Sequence, residues 1–71
     1  MGVGVQEVNT IRRIAEIMRR GSEAGQSRWR VRQLRARTGL SFSAVYSALK
    51  TLASEGVVEK DGVEWRWLKS K

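Results

Sequence analysis

Apolar residues in the first third of the chain recur every three or four positions, the spacing of one face of an α-helix. The residues on this face are Val8, Ile11, Ile14, Ala15 and Met18. We therefore predict a helix over residues 6–20 that ends at Gly21, because glycine is the preferred residue just beyond a helix. Ile17 lies at the edge of this face, where it would either widen the core contact or form a seam for dimerisation.

A polar loop over residues 22–27 follows, and beyond it the spacing changes to a period of two. Charged and bulky side chains alternate from Arg28 to Val31, which is typical of a short β-strand. We expect Trp29 and Val31 to face the core and the two arginines to face the solvent.

Two further helices are predicted on either side of Gly39. The first, over residues 32–38, is anchored by Leu34 and ends at Gly39, since glycine adopts the left-handed conformation at no steric cost. The second runs from residue 42 to about residue 55, with Ser41 as its N-cap. Its predicted core face holds Val45, Leu49 and Leu52, with Phe42 and Ala48 on either side.

The C-terminal residues have the pattern of a β-hairpin. Two segments rich in β-branched and aromatic residues flank the Asp-Gly dipeptide at residues 61–62, which favours a two-residue type I′ loop. This loop would pair Val58 with Trp65. It would also place Glu59 opposite Glu64 on the outer face, at a small electrostatic cost. The predicted inner face comprises Val58, Val63, Trp65 and Trp67.

The length and composition limit what the chain can hold. It has 71 residues and neither cysteine nor histidine. We predict one α+β domain at residues 6–68, with three helices, a short strand and a C-terminal two-stranded hairpin. A flexible tail at residues 1–5 would precede it, and a basic tail at residues 69–71 would follow it. Because the usual zinc ligand sets are missing, we expect no metal and no other cofactor.

The sequence also narrows the compartment and the class of protein. No apolar run approaches the roughly 20 residues that span a bilayer. The N-terminus lacks the charged and apolar regions of a signal peptide, and the missing cysteines fit a reducing, cytoplasmic location. No nucleophile lies beside a base, and the glycine motifs that bind nucleotides are absent, so we do not expect an enzyme.

Positive charge is concentrated in one part of the chain. The formal net charge is +7, yet between Gly25 and Ser54 there are six basic residues and no acidic one. The remainder is nearly balanced, with eight basic and seven acidic residues. Charge gathered in one segment predicts binding to a polyanion, with nucleic acid as the first candidate and an anionic membrane as the second.

The segment from Leu34 to Val58 follows the pattern L-x-x-x-T-G-L-S-x-x-x-V-x-x-A-L-x-x-L-x-x-x-G-x-[VI]. The residues that define this pattern and its end are Leu34, Gly39, Leu40, Ser41, Val45, Ala48, Leu49, Leu52, Glu55, Gly56, Val57 and Val58. With the hairpin that follows, this stretch resembles the winged helix–turn–helix domain of small bacterial, archaeal and viral transcription regulators. The chain departs from that family at Arg35, where a small residue is usual, and in its short wing.

The resemblance implies a transcriptional regulator that binds double-stranded DNA. The helix over residues 42–55 would enter the major groove, and the helix before it would lie across the backbone. The candidate DNA contacts on the entering helix and its cap are Ser41, Ser43, Ala44, Tyr46, Ser47 and Lys50. None of them is Arg, Asn or Gln, the residues that make bidentate contacts with guanine or adenine, so we expect modest sequence preference.

Basic residues outside this helix are the candidate phosphate contacts. They are Arg28, Arg30, Arg32 and Arg37 before the helix, and Lys60 and Arg66 in the hairpin. Arg35 belongs to the same cluster, and we expect at least one of Arg35 and Arg37 to make only local ion pairs. These contacts would supply most of the affinity.

Alternatives to transcriptional regulation stay open. Winged helices also serve as protein–protein modules, which would predict little affinity for DNA. An architectural or replication-linked role would use the same DNA chemistry. Binding of RNA or single strands would require Tyr46 or Trp67 to be exposed for base stacking. No residues suggest a small-molecule effector, and a homodimer is a further option.

Overall fold

The computed structural model describes residues 3–68, with side chains from residue 8 onward. The predicted tail at 69–71 and the first two residues of the predicted tail at 1–5 lie outside this range. The elements are α1 (Val3–Glu23), β1 (Arg28–Trp29), α2 (Val31–Thr38), α3 (Phe42–Ser54), β2 (Val58–Asp61) and β3 (Glu64–Trp67). Three helices and a small antiparallel sheet confirm the predicted α+β arrangement.

One hydrophobic core lies between the three helices and the inner face of the sheet. Its buried residues are Ile14, Met18, Trp29, Leu34, Val45, Ala48, Leu49, Leu52, Val58 and Trp65. No polar or charged side chain among the described residues is buried. The fold therefore depends on apolar burial, which contributes about 1.5–3 kcal/mol for each large side chain. Ile17 packs against this core, as the wide-face interpretation predicts, whereas Val8 is 45% exposed.

Helix α1 is longer than predicted at both ends. It begins at Val3 rather than residue 6, so part of the predicted flexible tail is helical. It continues past Gly21 to Glu23, which leaves a loop of only four residues before β1. The prediction that Gly21 lies just beyond the helix is therefore wrong, and the glycine with positive φ after α1 is Gly25, where φ is 98°.

Gly21 has a packing role inside the helix. A Cβ atom there would overlap the Trp29 ring and lie 3.0 Å from the carbonyl oxygen of Gln26. That same carbonyl accepts a hydrogen bond of 3.1 Å from the Trp29 indole nitrogen. Because Gly21 has no side chain, the Trp29 indole can pack directly against α1. In this position the indole N–H donates to the Gln26 carbonyl.

Gly21→Ala is expected to lower the free energy of unfolding by about 1–2 kcal/mol. Crowding a packed ring costs about 1–3 kcal/mol, which exceeds the gain of about 1 kcal/mol for replacing glycine in a helix. Urea denaturation followed by circular dichroism measures the change. In a Trp29→Phe background, where the ring is smaller, the same substitution should cost less. Stabilisation by Gly21→Ala in the wild-type background would contradict this packing account.

The predicted strand ends earlier than expected, and α2 begins earlier. Val31 is not an inward strand residue; it is the first residue of α2 and packs partly buried against the core. Arg30 has extended backbone just before the helix, and its N–H donates to the Gln33 side-chain oxygen at 2.8 Å. This bond satisfies one N–H at the helix start, so two strand residues and a capped helix replace a four-residue strand.

The turn between α2 and α3 is as predicted. Gly39 has φ of 76°, and its N–H donates to the Arg35 carbonyl at 2.7 Å. The Thr38 hydroxyl donates to the Leu34 carbonyl at 2.8 Å and accepts from the Leu40 N–H at 3.2 Å. These bonds fix where α3 begins relative to α2. Separately, the Ser41 hydroxyl accepts from the Ala44 N–H at 3.2 Å, which confirms the predicted N-cap.

The strands form one antiparallel sheet in the order β1-β3-β2, but the predicted hairpin register is wrong by two residues. Val58 lies opposite Trp67, and the two-residue loop is 62–63 rather than 61–62. Gly62 has φ of 67°, whereas no described non-glycine residue has positive φ. A glycine at the first loop position followed by an ordinary residue is the pattern of a type II′ turn rather than type I′.

The register shift changes the outer face more than the inner one. Val63 lies in the loop and is 69% exposed, so it is not an inner residue as predicted. Glu59 lies opposite Arg66 instead of Glu64, and its carboxylate accepts from Arg66 Nη2 at 2.9 Å. Trp65 stays buried because a shift of two residues keeps every side chain on its own face.

Candidate nucleic-acid interface

The solvent face of α3 consists of small polar residues and one lysine. Ser43, Ser47, Lys50 and Ser54 are all exposed, opposite the buried Val45, Leu49 and Leu52. No acidic residue lies within α3, and its first turn has none either. This face therefore presents hydroxyl groups and one positive charge without a nearby carboxylate on the same helix.

A groove of about 390 Å³ separates this face from α1. Its lining residues are Thr10, Ile11, Ser41, Ser43, Ala44, Ser47, Ala48 and Thr51. The structure thus brings together four of the predicted contact residues with two from α1 that the sequence analysis did not single out. Hydroxyl groups and small apolar side chains line the groove, so the backbone of α3 is accessible to a partner.

On the other flank of α3, two aromatic rings form what we call the aromatic ridge, Phe42 and Tyr46. The rings are stacked, with centroids 5.6 Å apart and planes 12° apart. Tyr46 also meets the edge of Trp65, with centroids 5.8 Å apart and planes at 81°. Lys50 Nζ lies 5.8 Å from the Tyr46 ring centroid, within range of a cation–π contact.

The outer face of the sheet holds a network of opposite charges. Arg28 pairs with Asp61 and lies 3.7 Å from Glu64, while Arg30 lies 3.9 Å from Glu64. Arg66 pairs with Glu59, so three arginines face three carboxylates. The hydrogen bond to Asp61 raises the pKa of Arg28. The predicted candidates Arg28, Arg30 and Arg66 therefore lie together in a locally neutral cluster.

A second network lies on the exposed side of α1. Glu16 accepts from Arg19 at 2.8 Å and from Arg20 at 2.7 Å, and Glu23 accepts from Arg19 at 2.9 Å. The hydrogen bonds from Arg19 and then Arg20 lower the pKa of Glu16. These pairs are three and four residues apart, which stabilises the exposed helix surface modestly.

The remaining positive charge is not compensated by carboxylates. Among the described side chains, the basic residues without an ion pair are Arg12, Arg13, Arg32, Arg35, Arg37, Lys50 and Lys60. Of the acidic residues whose side chains the structure describes, Glu55 alone makes no ion pair. Ion pairing thus divides the basic residues with described side chains into neutralised groups and an unpaired set, most of which lies on α2, on α3 and in the middle of α1.

Two members of this set make other local contacts. Arg35 Nε donates to the Leu40 carbonyl at 3.3 Å and so supports the turn before α3. The Arg37 guanidinium lies 5.2 Å from the Trp29 ring centroid, over a core residue. Neither is the ion pair that the sequence analysis expected. Arg32 and Lys60 are exposed and make no hydrogen bond with any described residue.

Sequence reasoning missed the exposure of Phe42 and the groove wall from α1. Phe42 was placed beside the core face by its helical spacing, but it is the first residue of α3 and is 54% exposed. The first residue of a helix has no preceding helical turn to cover its side chain. Helical spacing alone does not take this position into account. Thr10 and Ile11 could be found only from the packing of α1 against α3.

Other kinds of site are not found in the part of the chain that the structure describes. Its acidic residues form no group of three or more that could hold a metal ion. Within the same residues, none of the helices has the length and apolar character required to cross a membrane.

Comparison with known proteins gives one result that covers most of the chain. The family model of the IclR helix-turn-helix domain matches residues 10–62, from the middle of α1 to the wing loop. This match supports a DNA-binding function in transcription regulation. No curated protein and no solved structure matches the chain. The matched range contains the turn, α3 and the first strand of the hairpin, and the chain belongs to the IclR helix-turn-helix domain family.

Proposed function

We propose that the protein binds double-stranded DNA with α3 in the major groove and acts as a transcriptional regulator. The observation that carries this proposal is the exposed α3 face, which has serines, Lys50 and no carboxylate. Duplex DNA carries one negative charge per about 1.7 Å of its axis, so an acidic residue on an inserted helix would be repelled. A regulator of this kind acts at the chromosome, so a cytoplasmic, nucleoid-associated location is part of the proposal.

The ion pairs change which basic residues we assign to phosphates. Arg28, Arg30 and Arg66 already face carboxylates on the sheet, so they have little net charge to offer DNA. We assign the phosphate contacts to Arg32, Arg37, Lys50 and Lys60, with Arg12 and Arg13 as further members. Arg32 lies in the first turn of α2, the helix that crosses the DNA backbone in this class of protein.

The proposed base contacts come from the small residues of α3. The groove beside α1 is lined by Ser41, Ser43, Ala44 and Ser47. Because these side chains are small, the backbone of α3 can come close to the base edges in the DNA major groove. Hydroxyl groups bond to more than one base type, so they discriminate weakly. Tyr46 lies on the opposite flank of α3, stacked on Phe42. With these residues as base contacts, we expect a modest sequence preference and a binding affinity that comes mainly from phosphate contacts.

Fluorescence anisotropy with a labelled duplex of roughly 20 bp, about two helical turns, tests the proposal. The logarithm of the binding constant should fall linearly with the logarithm of salt concentration. Neutralising five to seven phosphates gives a slope of roughly −4 to −6. Absence of binding at low salt would reject the proposal and favour a protein partner.

Arg32→Ala is expected to make this slope shallower by about 1, because one phosphate contact is lost. The matched control is the double variant Arg28→Ala with Asp61→Ala, which removes an arginine together with its own carboxylate. The control should leave the slope unchanged. If the double variant has a shallower slope and Arg32→Ala has the wild-type slope, the phosphate contacts must be assigned to the sheet instead of α2.

A further inference from the structure

Phe42 is an exposed aromatic residue on α3, whose exposed face is otherwise polar. Three large apolar side chains among the described residues are exposed: Val8 on α1, Phe42 on α3 and Val63 in the wing loop. Phe42 is the first residue of α3 and directly follows the N-cap Ser41. The N-terminal residues of a recognition helix are those that contact base edges. Phe42 thus lies where the proposed function places the major groove.

The aromatic ridge is held in place by packing. The Phe42 ring stacks on Tyr46, and Tyr46 rests edge-on against Trp65, which is only 3% exposed. The exposed ring is therefore linked through one residue to the core. A ring positioned in this way loses little side-chain freedom when a partner covers it, which favours binding.

The chemistry of this flank fits one feature of the DNA bases. The α3 face has no Arg, Asn or Gln for bidentate bonds to guanine or adenine. The 5-methyl group of thymine is the apolar feature that standard bases show in the major groove, and phenylalanine is among the residues that contact it. Lys50 lies beside Tyr46, so a positive charge accompanies the apolar surface and suits the adjacent phosphates.

We propose that Phe42, supported by Tyr46, reads thymine methyl groups and gives the protein a preference for T·A-containing sites. This inference rests on the proposed function, since it requires α3 to lie in the major groove. Stacking of an unpaired base on Tyr46 is disfavoured by the same geometry. Phe42 covers the Tyr46 ring from one turn before it, and Lys50 lies over that ring from one turn after it. An open Tyr46 face, on which a base could stack, is therefore not available.

The test changes only the methyl groups of the DNA. A labelled duplex of roughly 20 bp is compared with the same duplex carrying deoxyuridine in place of every thymidine, which keeps all hydrogen-bonding groups. A second comparison uses a G·C-rich duplex with cytosine or with 5-methylcytosine, which adds a methyl group at the same groove position. Wild-type protein should bind the methylated member of each pair about fourfold more tightly for each methyl group contacted, the factor for burying one such group.

The variants assign the effect to a residue. Phe42→Ala should bind both members of each pair equally, and circular dichroism should show the wild-type helix content because the side chain is exposed. Val63→Ala removes an apolar side chain of similar exposure in the wing loop and should keep the methyl preference.

Each contrary result has its own meaning. Equal affinity of wild-type protein for the thymine and uracil duplexes overturns the inference while leaving the proposed function intact. Retention of the preference by Phe42→Ala also overturns it, because another group must then sense the methyl. The labelled strand is also titrated alone, and tighter binding to this single strand than to the duplex would replace methyl recognition by base stacking. Failure to bind any of these DNAs would overturn the proposed function and the inference together.

Discussion

Lys50→Glu is expected to weaken binding to duplex DNA by about 10- to 100-fold at low salt. Lys50 is exposed at the centre of the α3 face and has no carboxylate partner among the described residues. Losing a hydrogen bond to a charged group costs about 1.5–3 kcal/mol, which corresponds to this range of affinity. The new carboxylate adds repulsion from phosphates that lie close to any inserted helix.

The matched control for this variant is Arg20→Glu. It makes the same change in net charge at a side chain that is 74% exposed on α1, within the ion-pair network of Glu16. Anisotropy titrations of both variants at one salt concentration separate a local effect from a general one. The control should lose only a few-fold in affinity, through the long-range field. Equal losses for the two variants would show that net charge matters and that α3 does not dock.

Trp29→Ala is expected to remove most of the stability of the domain. The side chain is 1% exposed, and truncation of a buried aromatic residue costs about 3–5 kcal/mol. A single core in a chain of this size supplies about the same amount. Loss of the indole also removes the bond to the Gln26 carbonyl and leaves a hole beside Gly21. The variant should therefore be largely unfolded at room temperature.

Urea denaturation followed by far-ultraviolet circular dichroism measures this loss. Phe42→Ala is the comparison, since it truncates an aromatic side chain that is 54% exposed and should cost less than about 1.5 kcal/mol. The contrast measures how much of the stability depends on the buried Trp29 ring. A cooperative transition with an unchanged midpoint for Trp29→Ala would show that the residue does not hold the core together.

The sequence predicts the helix–turn–helix well because its determinants are local. The Gly39 conformation, the Ser41 cap and the spacing of Val45 and Leu49 all act within a few residues of one another. The C-terminal end of α1 was harder to predict, because the packing role of Gly21 inside the helix involves the Trp29 ring, eight residues further along the chain. No local pattern distinguishes a glycine that ends a helix from one that accommodates a neighbouring side chain.

The hairpin register shows a different limit. Loops at 61–62 and 62–63 have equal length, and both place Trp65 on the inner face, so apolar spacing cannot separate them. The outer face does separate them, because one register opposes Glu59 to Glu64 and the other opposes Glu59 to Arg66. Cross-strand charge was therefore the available signal, and the Asp-Gly preference for a type I′ loop outweighed it in the prediction.

The candidate interface was predicted in its α3 part and less completely elsewhere. The exposed serines and Lys50 follow from helical spacing, and the structure places them on the solvent face. Counting charge by segment did not reveal that Arg28 and Arg30 have partners, because the carboxylates that they face, Asp61 and Glu64, lie in a later part of the chain. Only folding brings the two segments side by side. The predicted homodimer stays a prediction.

The neutral cluster on the sheet has a consequence for how such a domain can change over evolution. Three carboxylates, Glu59, Asp61 and Glu64, face three arginines on the sheet, outside the helix that we assign to the bases. Loss of any one of them would leave a cation uncompensated without disturbing a buried residue. Substitutions on the sheet would thus change the general affinity for DNA without changing the α3 residues that we assign to the bases. Selection can therefore change the residence time of the protein on DNA without changing the sites that it prefers.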